Sequence, residues 1–383
     1  MRAAPFTLLL LMVGAAASPQ VAKLPKSHQG TVAQLADEFL RARDFSGVVL
    51  MARDGHVLFE KAYGLANREL DVPNKLETKF QLGSVTKQFT AMAVMILVER
   101  EKVRLADSIC DYVENCPRAW AGITLKHLLT HTSGIPSFTD FADNDRYERL
   151  PMTPLATIER FRDKPLDFAP GERFTYSNSG YLLLGYIIER ASGEKYEDFL
   201  RENIYEPLGM IDSGYDHPRI ILKDRASGYS KEHGRVRNAT YMEMDTPFAG
   251  GSMYSTVGDL LRWDQALYTE KLISQKMFNQ AFTPFEGPYP KGWWWRHRYG
   301  FGWFLTKWFG RSLIWHDGGT SGFSSAILRY PEDRTLVVVL ENMEALDEED
   351  YYDVHVDHLV VANGLSAIVF GLPPNTNPIS ASH

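Results

Sequence analysis

The sequence contains few cysteines. Cys110 and Cys116 are the only two, and they lie close together in the chain. In an exported protein, two nearby cysteines favour a local disulfide, whereas a pair of free thiols in a surface turn is the alternative. No histidine or further cysteine directly flanks this pair, so we do not expect a metal site there.

The sequence also lacks an excess of positive charge. Acidic residues outnumber basic ones by 48 to 41, which gives a formal net charge of -7. Because no basic stripe is visible either, this balance argues against nucleic acid as a partner. There is no internal repeat, low-complexity run or Pro-rich linker. With 383 residues, 44% of them hydrophobic, the chain is long enough to bury a sizeable core as one compact unit.

Long apolar runs are absent except near the N-terminus. Residues 6–17 are apolar and small, Arg2 supplies a positive charge before them, and Ala15-Ala16-Ala17 fits a cleavage site. This run is shorter than the roughly 20 residues that a spanning helix needs. We therefore expect residues 1–17 to be a signal peptide, with an uncleaved anchor as the alternative. The mature chain would be periplasmic or secreted, without a later transmembrane helix.

The apolar pattern places strands at both ends of the chain and helices between them. Residues 45–51 and 56–63 are apolar-rich runs joined by an Asp-Gly turn, which is a strong hairpin signal. Further strands are expected over residues 312–316, 324–330 and 335–341. The expected helices cover residues 84–100, 124–132 (ended by Gly134), 180–191 (ended by Gly193), 196–204, and 351–370 with an interruption near Gly364.

This order of elements predicts an α+β fold. We expect an antiparallel sheet built from both chain ends, flanked by helices, with a mostly helical subdomain inserted. The sheet part would cover about 30–85 and 245–345, and the helical part about 86–244. Residues 346–383 would form a C-terminal helix and tail.

Ser84 and Lys87 are the first candidate catalytic residues. A serine at a helix start is by default an N-cap, and a lysine three residues on is ordinary. The predicted helix is apolar nearly all round, however, so Lys87 would be partly desolvated. Desolvation lowers the pKa of a lysine, and a neutral amine beside a hydroxyl is a competent base. This pair could therefore form a serine nucleophile with its base.

Two later segments complete a recognisable order of motifs. Tyr176-Ser177-Asn178 precedes a predicted helix, and His316-Asp317-Gly318-Gly319 ends a predicted strand. With Ser84-x-x-Lys87, they resemble the serine beta-lactamase and penicillin-binding-protein superfamily. The class C branch, with its esterase and D-aminopeptidase relatives, looks most similar. Supporting stretches lie at residues 128–136, 170–178, 250–260 and 299–303.

The resemblance, which runs from about residue 30 to 345, implies a beta-lactamase/transpeptidase-like fold and a role for each motif. Ser84 would be acylated, while Lys87 and Tyr176 would share general-base and general-acid work in an unsettled order. The backbone N–H groups of Ser84 and Gly319 would form the oxyanion hole. The substrate would be bound by three further residues, Asn178, His316 and Gly318. The substrate would be a small ester, amide or peptide, with no metal and no cofactor.

His316 departs from the pattern, since lactamases and carboxypeptidases of the superfamily carry lysine there. With an unperturbed pKa of about 6.5, histidine is mostly uncharged near neutral pH. We therefore expect neutral esters to be better substrates than beta-lactams. We also expect affinity for carboxylate ligands to fall as pH rises through the pKa of His316.

Alternative functions are a beta-lactamase or D-alanyl-D-alanine carboxypeptidase, and a catalytically silent scaffold.

Three further features each have an ordinary structural explanation beside a functional one. Trp293-Trp294-Trp295 could line an acyl or glycan site, contact a membrane surface, or simply pack. His355 and His358 have a metal-like spacing but suit a solvated helix face, as does the acidic cluster at residues 347–350.

Overall fold

The structure is a computed structural model that describes residues 26–43, 45–289, 297–345 and 357–376. Several sequence predictions lie outside these residues: the signal peptide, Trp293 to Trp295, the acidic cluster at 347–350, and His355. Within the described part, no helix is both long and apolar enough to cross a bilayer.

The helices and strands have the following bounds. The helices are α1 (Lys26–Arg41), α2 (Thr86–Glu99), α3 (Leu125–Leu129), α4 (Asn144–Tyr147), α5 (Pro154–Arg162), α6 (Asn178–Ser192), α7 (Tyr196–Leu200), α8 (Glu206–Leu208), α9 (Val257–Ala266), α10 (Gln275–Ala281) and α11 (Asp357–Val369). The strands are β1 (Gly47–Arg53), β2 (His56–Tyr63), β3 (Leu65–Asn67), β4 (Val72–Pro73), β5 (Phe80–Gln81), β6 (Gly214–Tyr215), β7 (Tyr229–Glu232), β8 (Arg235–Asn238), β9 (Met253–Ser255), β10 (Arg298–Tyr299), β11 (Phe304–Trp308), β12 (Arg311–Thr320), β13 (Phe323–Tyr330), β14 (Thr335–Glu341) and β15 (Met343–Ala345).

One antiparallel sheet joins the two ends of the chain, as predicted. Its strand order is β10-β11-β12-β13-β14-β1-β2. β1 lies between its hairpin partner β2 and the distant β14, with Val49 opposite Val339. Asp54 and Gly55, both with positive φ, make the β1–β2 turn, which is why Asp-Gly is favoured there. The α+β prediction is confirmed.

Alternate residues of each strand contribute to two separate cores. Val48 and Leu50 of β1 face the core that contains α2 and α9. Val49 and Met51 point to the opposite face, where α1 and α11 pack. This follows from the two-residue period of a strand, and it leaves the central strands β1, β13 and β14 buried on both sides. α2 is buried from Thr86 to Leu97, as its apolar sequence predicts.

The chain between β5 and β9 carries helices α2 to α8, and it also contains short strands. β7 and β8 form a hairpin that β15 extends by parallel pairing. Cys110 and Cys116 are joined by a disulfide in this region. The division into a sheet part and a helical subdomain stays a prediction.

Several predicted helix boundaries are wrong. The predicted helix at 84–100 begins as a 3-10 turn, Gly83–Val85. The helix predicted at 124–132 ends at Leu129, because His131 takes a left-handed φ of 55° before Gly134 is reached. α6 begins at Asn178 rather than at residue 180, although Gly193 ends it as expected. The π-helical segment Arg201–Tyr205 follows α7, where continuous α-helix was expected.

Two predictions near the C-terminus are also wrong. β12 does not end at His316 but continues to Thr320, because β13 pairs with it along that whole length. α11 is not interrupted at Gly364. A Cβ there would lie 2.2 Å from the ring of Phe39, so this glycine allows α1 and α11 to approach each other.

Candidate active site

Ser84 lies on a tight turn pressed against β12. The 3-10 turn Gly83–Val85 connects β5 to α2, and the N-cap of α2 is Val85 rather than Ser84. Gly83 has a φ of 52°, and a Cβ on it would lie 2.7 Å from the backbone N and O of Gly319. Only glycine fits such a contact in this conformation. The half-buried Ser84 hydroxyl therefore does not cap the helix and is presented beside the sheet.

Lys87 is fully buried directly beneath Ser84. Its Nζ lies 3.0 Å from the Ser84 Oγ, 2.8 Å from the Asn178 Oδ1 and 2.8 Å from the Gly250 carbonyl oxygen. Desolvation lowers the pKa of Lys87 from 10.5 to about 7, and the Asp317 carboxylate only partly opposes this shift. A large fraction of Lys87 is therefore a neutral amine at neutral pH, within reach of the serine proton.

Tyr176 forms a hydrogen bond with the same serine. The Lys87 Nζ is 4.9 Å from the centre of its ring. Burial raises the pKa of Tyr176 well above 10, although a hydrogen bond with Ser84 opposes that shift. The phenol thus keeps its proton at neutral pH, and Lys87 is the group whose pKa suits a base.

Asn178 is positioned as the first residue of α6. Its side-chain Nδ2 donates to the Thr139 hydroxyl at 3.1 Å, while its backbone N–H donates to the Ser137 hydroxyl at 3.1 Å. Because Oδ1 accepts from Lys87, the amide is held at the site by both ends. Sequence reasoning missed Thr139 and the carbonyl of Gly250. A backbone carbonyl leaves no residue-type signal, whereas the GGSMYST stretch that contains Gly250 does resemble the superfamily.

His131 is a further residue at the site to which sequence reasoning gave no role. Its ring lies 4.2 Å from the ring of Tyr176, centre to centre. Nδ1 accepts a hydrogen bond from the backbone N–H of Ser177 at 3.1 Å. Burial, and then the charge of Lys87, lower the pKa of His131 well below 6.5. The ring is therefore neutral, and it fixes the orientation of Tyr176 by packing.

His316 lies in the interior of β12 and is buried. Nδ1 lies 2.6 Å from the Asp317 carbonyl oxygen, which can only accept, so Nε2 accepts from the Tyr299 hydroxyl at 3.0 Å. Burial lowers the pKa of His316 to about 4, with Asp317 opposing and Lys87 adding to the shift. His316 is thus uncharged near neutral pH, and the expected titration near 6.5 is wrong for this environment.

Asp317 places a carboxylate next to His316. It lies 3.7 Å from the Nε2 of His358 on α11 and 3.9 Å from the Nδ1 of His316. Burial opposes its ionisation, but His358 and His316 outweigh that effect and hold its pKa below the ordinary value. The expectation of a solvated helix face is wrong for His358, which is 2% exposed.

Gly318 and Gly319 bring the strand against the serine turn. A Cβ on Gly318 would lie 2.0 Å from the Leu82 carbonyl oxygen and 2.7 Å from the Ser84 nitrogen. The two segments that carry the predicted oxyanion donors, Ser84 and Gly319, are therefore in direct contact. Among the described residues, no group of three or more His, Cys, Asp or Glu side chains is arranged to hold a metal ion.

Comparison with known proteins identifies the family of this chain. The family model described as Beta-lactamase matches residues 32–362. Penicillin-binding protein 4* of Bacillus subtilis strain 168 is 30% identical over 348 residues, which are 86% of this chain and 73% of that protein. Protein flp of Staphylococcus aureus strain MW2 is 28% identical over 325 residues. The match covers 81% of this chain but only 61% of that relative.

Solved structures show the same fold. The octameric penicillin-binding protein homologue from Pyrococcus abyssi superposes with a TM-score of 0.78 at 30% identity, covering 92% of this chain and 79% of that one. D-amino acid amidase from Ochrobactrum anthropi SV3 gives a TM-score of 0.75 at 24% identity, covering 90% and 99%. The likeness to D-amino acid amidase shows the fold alone. The match of the family model over most of the sequence shows that this chain belongs to the beta-lactamase family, within the serine hydrolase superfamily that includes penicillin-binding proteins.

Proposed function

We propose that this protein hydrolyses small ester or amide substrates through an acyl-enzyme at Ser84. The observation that carries the proposal is the buried Lys87, whose Nζ lies 3.0 Å from the Ser84 Oγ and whose pKa is lowered to about 7. A neutral amine at that distance can take the serine proton as the oxygen attacks.

The proposed reaction has the following steps. The Ser84 oxygen forms a bond to the substrate carbonyl carbon while its proton passes to the Lys87 Nζ. The N–H groups of Ser84 and Gly319 would stabilise the resulting oxyanion. The carbon–oxygen or carbon–nitrogen bond of the leaving group then breaks, and the leaving group takes a proton that Tyr176 relays from Lys87. Water then attacks the acyl carbon and gives up a proton to Lys87. The bond between that carbon and the Ser84 Oγ breaks, the serine oxygen takes the proton back from Lys87, and the acyl group leaves as a carboxylic acid.

The charges around the site favour neutral substrates. His316 occupies the position where a lysine would supply a fixed positive charge, and its lowered pKa of about 4 leaves it uncharged at neutral pH. The adjacent Asp317 keeps a negative charge, because its pKa is held below the ordinary value. A substrate carboxylate placed along this strand would meet repulsion instead of attraction. Uncharged esters, and amides without a carboxylate at this end, fit the site better.

A beta-lactamase or D-alanyl carboxypeptidase is the second candidate. It is supported by the relatives named penicillin-binding proteins, one of them 30% identical over most of this chain. Such an enzyme would have to bind a substrate carboxylate without a lysine at position 316. Export is also part of the proposal, supported by the leader-like N-terminal sequence and by the disulfide between Cys110 and Cys116.

Labelling with a fluorophosphonate, followed by intact-mass measurement, tests the proposal. We expect one adduct on the wild type and none on Ser84→Ala. Ser312→Ala is a matched control and should label normally. Ser312 lies in the first part of β12, where its hydroxyl donates to the Glu332 carboxylate. Absence of the adduct from the wild type would favour the catalytically silent scaffold and refute the proposal.

Substrate preference needs a separate measurement. Rates on p-nitrophenyl acetate and butyrate should exceed the rate on nitrocefin, and the rate on a D-alanyl-D-alanine peptide should also be lower. A nitrocefin rate above the ester rates would reject the preference for neutral esters and support the second candidate. Fractionation with N-terminal sequencing would test export, and an intact residue 1 on the cytoplasmic protein would contradict it.

A further inference from the structure

Gln81 links the serine turn to the strand that carries Gly319. It is the second residue of β5, just before the turn, and its side chain is half-buried. Its Oε1 accepts a hydrogen bond from the Thr320 hydroxyl at 2.8 Å. Its Nε2 donates to the Asp216 Oδ2 at 2.8 Å. Because Thr320 directly follows Gly319, one amide side chain bridges the two segments that would form the oxyanion hole.

Asp216 fixes the orientation of this amide. Its carboxylate is 1% exposed, and its second oxygen accepts from the Arg225 Nη1 at 2.6 Å. The backbone N–H of Asp216 also donates to the Ser252 carbonyl oxygen at 2.8 Å. A carboxylate flanked by an arginine can only accept, so the NH₂ group of Gln81 must face it. The carbonyl of Gln81 is thereby directed at Thr320.

The end of β12 needs such a contact. β11 pairs with β12 only from Arg311 to Trp315. Among the described strands, the segment from Gly318 to Thr320 therefore has β13 as its sole ladder partner. An edge segment with one ladder partner has fewer backbone hydrogen bonds to hold it than a strand paired on both sides. The Gln81 amide restrains this edge at the residue after Gly319.

The serine turn itself has other attachments. The Leu82 N–H donates to the Met253 carbonyl oxygen at 2.8 Å, and the Ser325 hydroxyl donates to the Leu82 carbonyl oxygen at 2.7 Å. These bonds of Leu82, together with the pairing of β5 with β9, hold this segment in place without the Gln81 side chain. Loss of that side chain should therefore spare the fold, and should loosen only the end of β12.

We propose that Gln81 is a positioning residue that keeps the Gly319 N–H aligned with the Ser84 N–H. The inference rests on the proposed function, since it assigns these two N–H groups to the oxyanion hole. Oxyanion stabilisation depends on donor placement within a fraction of an ångström. A loosened strand would therefore weaken the tetrahedral state more than it weakens substrate binding.

Gln81→Met tests this role, because methionine has a similar size and cannot make either bond. We expect kcat for p-nitrophenyl acetate to fall about 10- to 100-fold, while KM changes less than about threefold. The inhibition constant of phenylboronic acid, which forms a tetrahedral adduct with a serine, should rise by a similar factor. Gln265→Met is the matched control, since Gln265 is also half-buried and also bonds an aspartate. It should leave all three values unchanged.

Thr320→Val tests the same bond from the other side. Valine keeps the shape of threonine and removes the hydroxyl that donates to Gln81. We expect a loss in kcat that resembles that of Gln81→Met, and no further loss in the double variant. If Gln81→Met does not fold, Thr320→Val still measures the contribution of the bond.

The outcomes separate this inference from the proposed function. Parallel losses in kcat and in phenylboronic acid affinity, without additivity, would support it. Unchanged kcat and boronate affinity in folded Gln81→Met or Thr320→Val would overturn it, as would a loss confined to melting temperature. Failure of the wild type to react with a fluorophosphonate at Ser84 would instead overturn the proposed function, whatever the variants do.

Discussion

The pKa of Lys87 should determine the pH at which Ser84 becomes reactive. Burial lowers this pKa from 10.5 to about 7, and only the neutral amine can take the serine proton. At that pKa, about 9% of Lys87 is neutral at pH 6 and about 91% at pH 8. Reactivity should therefore rise about tenfold between pH 6 and pH 8 and then level off. A lysine with its ordinary pKa would be neutral in only about 0.3% of molecules at pH 8.

The rate of inactivation by a fluorophosphonate, measured from about pH 5.5 to 9.5, gives this profile directly. Wild-type rates are corrected for hydrolysis of the reagent. Lys87→Arg should be slower at every pH by about 10²- to 10⁴-fold, because arginine does not lose its proton in this range. Lys307→Arg, at an exposed position on β11, is the control and should follow the wild-type curve.

Two results would refute this reasoning. A rate that keeps rising tenfold per pH unit through pH 9 would mean that burial does not lower the pKa of Lys87. A wild-type plateau that persists at full height in Lys87→Arg would mean that another group takes the proton. Tyr176 would then be the first residue to test, although burial raises its pKa well above 10.

Three further predictions concern other parts of the structure. Gly83→Ala should lower the fluorophosphonate rate at least about tenfold, since its Cβ would lie 2.7 Å from strand backbone atoms; a wild-type rate would contradict the packing. The ratio of phenylacetate inhibition constants for wild type and His316→Asn should stay constant from about pH 5 to 8, because burial lowers the pKa of His316 to about 4; a change in that ratio near pH 6.5 would contradict this. The Arg329 Nε lies 2.5 Å from the Asp264 Oδ1, and the two side chains are 1% and 0% exposed. Arg329→Met therefore leaves the buried Asp264 carboxylate without its ion-pair partner. This should cost about 3–5 kcal/mol. At an unfolding entropy of about 2.1 cal/mol/K per residue, Tm should fall by roughly 4–6 °C by calorimetry, with partial recovery on adding Asp264→Leu; an unchanged Tm would count against the pair.

Local sequence signals were sufficient for the central strands and for the burial of the helix that carries Lys87. Asp-Gly predicts the β1–β2 hairpin because both turn residues need positive φ. The sequence of α2, which is apolar nearly all round, predicts its burial, and with it the lowered pKa of Lys87. Each of these arguments uses only neighbouring residues, and each agrees with the structure.

Tertiary contacts explain what the sequence could not predict. β12 extends past His316 because β13 lies beside it, and α11 passes Gly364 unbroken because Phe39 fills the space. His131 acquires its place beside Tyr176 only when α3 and the start of α6 meet. The lowered pKa of His316 likewise depends on the aromatic and strand residues that bury it. The aromatic residues are distant from His316 in sequence, so no local helix or turn pattern indicates them.

The pairing of β1 with β14 has a consequence for how the chain matures. The Ser46 hydroxyl bonds the Asn342 side chain across 296 positions of sequence. During synthesis, the edge of β1 that pairs with β14 therefore stays unpaired until almost the whole chain has been made. A chain cut short before β12 would contain Ser84 and Lys87 but would lack β12, the strand against which the Ser84 turn packs. Reactivity at Ser84 would thus appear only in chains whose synthesis is nearly complete. In a truncated product, the unpaired edge of β1 would be prone to pair with strands of neighbouring molecules.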